Sequence, residues 1–470
     1  MPFLRLLFAS CLFVVALSGL AAPTSAPLLR DVPPVIADLE TRTFRFFWDT
    51  ANPANGLVPD RHPSPSFASI AAVGFALTAY PIGAERGYVT REAARDRVLA
   101  TLRFLHDASQ GPAVSGVTGH QGFFYHFLDM QTGHRFDAVE LSTVDTALLL
   151  AGALFCQSYF DREDAGEAEV RRLAEAIYAR VDWRWAQPRP PSITLGWKPE
   201  TGFLKEDYRG YNEAMLVYLL ALGSPTHAVE PDAWKEWSST YDKRWGTHYG
   251  QEYLHYHPLF VHQFPHVWID FCGIQDEFMR GHGIDYFENS RRAALVQRAY
   301  AVANPLKWQG YGENVWGLSA SDGPVDAWLP YAGEQRRFIS YAARGVAMYD
   351  DGTITPMAAT SAIAFAPELS IPAVLEMHRR WGEHIYGTYG FLDAFNPSFH
   401  YDIKLTHGRV VPGVGWVDTD YLGIDQGPIL AMLENHRSDL VWRVMRNHPH
   451  LRRGLERAGF TGGWLDSARP

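Results

Sequence analysis

Cysteine is scarce: three occur in 470 residues, and none stands in a C-x-x-C or zinc-type spacing. Cys11 falls in the apolar N-terminal stretch, while Cys156 and Cys272 lie in apolar or aromatic contexts. That leaves open two free thiols or one disulfide in an oxidising compartment. Dense Lys/Arg blocks are missing, and the net charge is -10, which argues against nucleic acid or an anionic lipid surface as partner. No G-x-S-x-G, P-loop or dinucleotide fingerprint is present, so no sequence signal for a serine nucleophile or a nucleotide exists. Strand-like alternation is rare, and no internal repeat is visible.

What is present is a globular composition, 47% hydrophobic and 20% charged, long enough for a large core. Aromatics are plentiful, with Trp 15, Tyr 22 and Phe 27. They suit a large core, and they also suit a sugar-binding surface, where ring faces stack on pyranose C–H faces. The N-terminus has the pattern of a secretory signal over residues 1–22: Arg5, an apolar run from Leu6 to Leu20, and small residues at Gly19-Leu20-Ala21. A retained anchor is the alternative, but the run is short for a span. Residues 23–35 read as a linker, and residues 36–466 as one domain. The expected location is therefore periplasmic or secreted, with no membrane contact after cleavage.

From Ile36 the chain reads as helices separated by Gly/Pro-rich loops. Candidates are Ile36–Trp48, Ser66–Tyr80, Thr90–Asp107, Ser142–Phe160, Glu167–Val181, Asn212–Leu222, Asp232–Trp245, Trp268–Arg280, Phe287–Ala303, Thr355–Phe365, Ile371–Trp381 and Asp425–Asn447. "FFYHFLDM" and "GWVDTDYLG" read as short hairpin pieces. Segments apolar on all sides alternate with amphipathic ones. The first kind must be buried all round and the second covers it, which predicts an all-α toroid with an inner and an outer ring. A plain helical solenoid is the competing architecture.

Chemistry gathers where the apolar helices begin. "ELSTVDTALLL" offers Ser142 as N-cap with Asp145 three residues on, a capping-box-like pair. Asn212, Thr355 and Asp425 are read as caps, as is Ser64 or Ser66. Capping explains Asp145 and Asp425 well enough. It does not explain Asp137 and Glu140, which precede their helix, or Glu213, which follows its own cap. If alternate helices run the same way, these acids meet in one funnel. Paired carboxylates are what glycosidic hydrolysis requires, one to protonate the leaving oxygen and one to activate water or attack. A second constellation, His262, His266 and Asp270, has helical spacing, but Pro265 intervenes and the H-E-x-x-H glutamate is missing. Metal site, sugar surface and simple packing all remain open for it.

The motifs "HPSPSFASIAAVGFALTAYPIGAERGYVTR", "GFFYHFLDMQTGHR", "ELSTVDTALLLAGAL", "GYNEAMLVYLLALGSPTH", "PLFVHQFPHVWIDFCGIQD", "DYFENSRRAALVQRAY", "DDGTITPMAA", "YGFLDAFNPS" and "GIDQGPILAMLENHRS" together resemble the glycoamylase-like domain. That domain is similar to glycoside hydrolase family 144, the β-1,2-glucanases. The resemblance runs from Ile36 to Leu465. It implies an (α/α)6 barrel and metal-free, anomer-inverting hydrolysis of β-1,2-glucan, with endo- and exo-acting members. Its essential acids fall on Asp137, Glu140 and Glu213.

The expectation is a monomeric glycoside hydrolase without metal or other cofactor. Glu213 is the general acid, and Glu140 with Asp137 orients or activates water or holds the sugar; these roles are exchangeable. Expected sugar contacts are Arg61, His62, His126, Trp268, Trp316, Asp425 and Gln426, each of which packing or capping would explain equally well. The rivals are a hydrolase of another glucan linkage, a polysaccharide lyase and a non-catalytic glycan-binding protein.

Overall fold

The computed structural model describes residues 29–466. The expected signal segment 1–22 and Cys11 lie outside the described residues. The body is an α/α barrel, and its helices come in chain order as outer and inner members. Outer α1 (Pro34–Thr50) leads to inner α2 (Ile70–Glu85). Outer α3 (Arg91–Asp107) and α5 (Ala165–Ala179) flank inner α4 (Thr143–Tyr159), and inner α6 (Met215–Gly223) follows. Short α7 (Asp232–Ser238), inner α8 (Phe264–Trp268) and α9 (Glu277–His282) come next. Outer α10 (Tyr286–Ala303) and α12 (Pro367–Ile385) bracket inner α11 (Pro356–Thr360), and inner α13 (Gly423–Ser438) closes the ring against α2. Two further helices, α14 (Leu440–Met445) and α15 (Pro449–Arg457), follow; α15, which is not among the helices expected from the sequence, packs on α6.

Hydrophobic character sets the rings. In α2 every residue from Ile70 to Gly83 is buried, and α6 is buried along its whole length. Outer α3 buries only one face, with Val98, Leu102 and Leu105 inward. Burial on all sides forces the first kind to the centre. The tightest inner contact, α2 against α4, depends on two glycines. A Cβ on Gly74 would stand 2.3 Å from the Leu148 carbonyl oxygen, and one on Gly152 would stand 2.1 Å from that of Gly74.

Helix starts differ from expectation where strands intervene. Helix α2 begins at Ile70 with Ser69 as cap, its side chain accepting the Ala72 N–H. Ser64 and Ser66 are not caps, because Ala68–Ser69 is held extended against Phe127–Leu128. Thr90 and Ser142 cap as expected. Asn212 lies upstream of α6: its Oδ1 accepts the Ala214 N–H in a turn that contains Glu213. Asp425 sits inside the first turn of α13, not at its cap, which is Leu422. The segment Trp268–Arg280 is not one helix. Chain direction breaks at extended Ile269 and at Gly273 (φ +77°), and α9 restarts on an Asp276 cap. Likewise Asp439, with φ +62°, separates α13 from α14.

Strands are short and lie mostly in the loops at the N-terminal ends of the inner helices. The largest sheet is antiparallel, in the order Gly119–His120, Phe123–Tyr125, Leu141–Ser142, Gly196–Lys198, Gly202–Phe203. Both hairpin-like motifs read from sequence contribute strands. Cys156 is buried and donates its thiol to the Leu77 carbonyl (2.9 Å), whereas Cys272 is exposed; both are free. No helix among the described residues is long and apolar enough to cross a membrane.

Candidate active site

Three inner helices are each entered from a two-residue strand: Ala68–Ser69 before α2, Leu141–Ser142 before α4 and Tyr421–Leu422 before α13. These strands pair with other loops and pin the residues around the barrel mouth. Tyr125 is opposite Leu141, and the His126 N–H donates to the Glu140 carbonyl at 3.0 Å. The two side chains therefore stand side by side. His126 Nδ1 lies 2.9 Å from Glu140 Oε1, and His126 Nε2 lies 3.5 Å from Asp145 Oδ2. Asp145 is buried and receives the Ser142 hydroxyl. So Glu140, His126, Asp145 and Ser142 form one chain of polar contacts at the start of α4.

The charges in this chain are strongly biased. The bond from His126 outweighs burial and holds the Glu140 carboxyl down to about 2. Burial alone would lower the His126 pKa, but Asp145, Glu140 and Asp60 outweigh it and raise it to about 9. Glu213 is pushed the other way. Burial, with the negative charge of Asp145 added, raises it to about 7 against one backbone N–H. Tyr208 stands among Glu213, Asp145 and Glu140; burial first, then these three charges, pushes its hydroxyl well up. One carboxyl poised to stay protonated and another held ionised is the division of labour that acid/base chemistry on a glycosidic bond uses. A recess of 400 Å³ is lined by Arg209, Tyr211, Arg244 and Tyr256 among others, and the charge of Glu213 acts on the Tyr256 hydroxyl.

Asp137, by contrast, is exposed and has a left-handed φ of +48°. Its carboxylate has no hydrogen-bond or ion-pair partner among the described residues.

Next to His126 the site continues into an acidic wall. Arg61 Nη1 donates to Asp322 Oδ2 at 2.6 Å, and Arg61 Nε lies 3.5 Å from Asp60 Oδ2. Asp420 accepts the Ser64 N–H at 2.9 Å. Asp393, Asp418 and Asp425 are buried beside them. Burial first, then their mutual repulsion, raises the carboxyls of Asp393 and Asp418 far above the usual range. Sequence reasoning missed Asp60, Asp322, Asp393, Asp418 and Asp420. A signal existed: "DTD" at 418–420 precedes an inner helix just as "DAVE" does at 137–140.

Of the expected sugar contacts, Arg61, His62 and His126 reach the mouth and are partly exposed. Trp268 does not. It is fully buried, stacks on Phe75 at 5.2 Å and donates its indole N–H to Thr78 at 2.9 Å, because α8 turns it into the barrel core. Trp316 is 1% exposed and offers no ring face to a sugar. Asp425 and Gln426 are buried in the first turn of α13, and the Gln426 amide donates to the Phe391 carbonyl. His262 and His266 are packing residues. Both are buried, His262 between the Tyr211 hydroxyl and the Tyr256 carbonyl, and His266 against the Ser290 hydroxyl. Asp270 is taken up by Arg446 at the other pole of the barrel. A cavity of 740 Å³ lies at that pole. Its acids Asp270 and Asp439 are both engaged by Arg446, so it lacks a free carboxyl pair.

Known proteins share this architecture. The solved structure of the endo-β-1,2-glucanase from Chitinophaga pinensis, in complex with sophorotriose and glucose, superposes with a TM-score of 0.77 at 26% identity, covering 92% of this chain and 98% of that one. An exo β-1,2-glucooligosaccharide sophorohydrolase (non-reducing end) from Parabacteroides distasonis is 27% identical over 453 residues, 89% of this chain. This chain spans 57% of that relative's length. The family model described as "Putative glucoamylase" matches residues 205–449. A protein of the same description from Bacteroides uniformis has a structure with a TM-score of 0.79 at 29% identity, covering 93% of this chain and all of that one. The chain therefore belongs to the glycoamylase family.

Proposed function

We propose that this chain is a glycoside hydrolase that cleaves β-1,2-glucan with inversion at the anomeric carbon. The observation that carries the reading is the opposed pair of carboxyls: Glu213, pushed up to about 7, and Glu140, held at about 2 by His126. The similarity to a sophorohydrolase and to an endo-β-1,2-glucanase supports the linkage.

In this reading Glu213 gives its proton to the glycosidic oxygen as the C1–O bond breaks. Glu140, ionised and fixed by His126, holds negative charge beside the positive anomeric centre. A water attacks C1 and loses its proton to the Asp137/Glu140 pair. Asp137 stands exposed with no partner on its carboxylate among the described residues, whereas His126 depresses the basicity of Glu140. Arg61, His62 and His126 contact the sugar hydroxyls. The N-terminal pattern of Arg5 and the apolar run supports secretion to the periplasm or beyond, and the protein acts as a monomer.

The test is incubation of the mature chain with linear β-1,2-, β-1,3- and α-1,4-glucans, followed by chromatography. Sophorose or longer β-1,2-oligosaccharides should appear only from the first. Cleavage confined to another linkage would reassign the substrate. An ultraviolet-absorbing product would mean a lyase, and binding without turnover would mean a glycan-binding protein.

A further inference from the structure

Three loops from distant parts of the chain meet in the acidic wall. Asp322 ends the strand Ala320–Asp322, Asp393 precedes Phe395–Asn396, and Asp418 follows Gly415–Val417. Backbone pairing fixes their approach: the Asp418 N–H donates to the Ala394 carbonyl and the Asp393 N–H to that of Asp420, both at 3.0 Å. Each of the three side chains is 1% exposed.

Each carboxylate has one oxygen anchored and one without a partner. Asp322 Oδ2 receives Arg61, Asp393 Oδ2 receives the Asp322 N–H at 2.7 Å, and Asp418 Oδ1 receives the Thr419 N–H at 2.6 Å. Asp322 Oδ1, Asp393 Oδ1 and Asp418 Oδ2 are buried with no hydrogen-bond donor facing them. A fourth residue adds to this. Asp425, 3% exposed, meets the Asp393 carboxyl, and its Oδ2 is likewise buried without a donor. Arg61 and His407 reach only Asp322 in this trio, and buried Arg344 is held by Asp351. Asp393 and Asp418 have no ion-pair partner among the described residues. Buried like charges this close cannot all ionise unless a cation or shared protons compensate them.

We propose that Asp322, Asp393 and Asp418 form a binding site for one hard divalent cation of the calcium type. One carboxylate oxygen from each lies within 4.8 Å of the other two. Oxygens bound to a single Ca²⁺ at about 2.4 Å can stand at most about 4.8 Å apart, so the trio fits one ion. The donor set is all oxygen, which suits a hard cation and not the N/S preference of zinc. The remaining places would go to solvent. A cation here would tie together three loops of the barrel mouth and set the position of Arg61. This goes beyond the sequence expectation of no metal, and it does not depend on the glucanase reading.

The test uses the mature chain, chelated and then dialysed, and titrates it with CaCl2 alone by calorimetry. Terbium luminescence gives a second readout, because Tyr341 is the cross-strand partner of Asp322 and can sensitise a bound ion. One ion per chain should bind, and Tm should rise by a few degrees between chelator and 1 mM Ca²⁺. Asp393→Asn and Asp418→Asn, nearly isosteric, should each weaken binding at least about tenfold, while Asp439→Asn at the opposite pole should not. Absence of binding to the wild-type chain at millimolar Ca²⁺ would overturn the proposal and leave shared protons as the compensation. Unchanged affinity in both cluster variants would overturn it too, since the ion would then sit elsewhere.

Discussion

His126 Nδ1 lies 2.9 Å from Glu140 Oε1, across one register position of an antiparallel pair. Its other nitrogen faces Asp145 at 3.5 Å. One histidine thus joins the loop that ends in Glu140 to the first turn of α4.

This pair predicts a pH window for stability. His126 is raised to about 9 from 6.5, so its contribution is complete below about 6.5 and is lost as pH rises through 9. Glu140 is lowered to about 2 from 4.5, so its contribution is complete above about 4.5 and is lost as pH falls toward 2. The Tm difference between wild type and His126→Gln should therefore peak between about pH 4.5 and 6.5 and shrink on both sides. A difference independent of pH would mean the pairing contributes packing only.

For Glu213, substitution by Gln should leave Tm within a few degrees and reduce kcat about 10²–10⁴-fold. In the wild type, kcat on β-1,2-glucan should fall as pH rises through about 7, where Glu213 loses its proton. Retention of more than half of wild-type turnover by Glu213→Gln would remove it from the acid role.

The stereochemical outcome can be read directly from fresh product by NMR of the anomeric proton. Inversion at a β-linked glucan releases the α-anomer first. Early β-anomer would require one of these carboxylates to act as nucleophile.

Trp268 is expected to be a stability residue. Trp268→Ala removes a fully buried indole stacked on Phe75 and should cost about 3–5 kcal/mol. At temperatures where the variant stays folded, KM should change little. A large KM rise with unchanged Tm would restore the sugar-contact reading.

Gly74→Ala should also destabilise, by about 1–3 kcal/mol. Its Cβ would face the Leu148 backbone carbonyl at 2.3 Å, which no side-chain rotation can relieve. A denaturation midpoint equal to wild type would show that α2 and α4 can separate without cost.

The ring arrangement was legible because it follows from hydrophobic character along single helices. Apolar-all-round α2 and α6 against one-faced α3 is a property of local sequence, and burial then has one solution. The acids Glu140 and Glu213 stand out as candidates in the sequence because they lie at helix starts without being needed as caps. What sequence alone could not decide is which residues share a space. Trp268 and Arg61 both look like sugar contacts in one dimension, yet α8 turns the first into the core and strand Arg61–His62, paired with Tyr421–Leu422, holds the second at the mouth. Asp322 and Asp393 are unremarkable acids along the chain, and Asp418 is marked only by its place before an inner helix. Only the pairing of strands far apart in sequence brings them within 4.8 Å of one another, because contacts between distant segments are set by tertiary packing and leave no local periodicity to read.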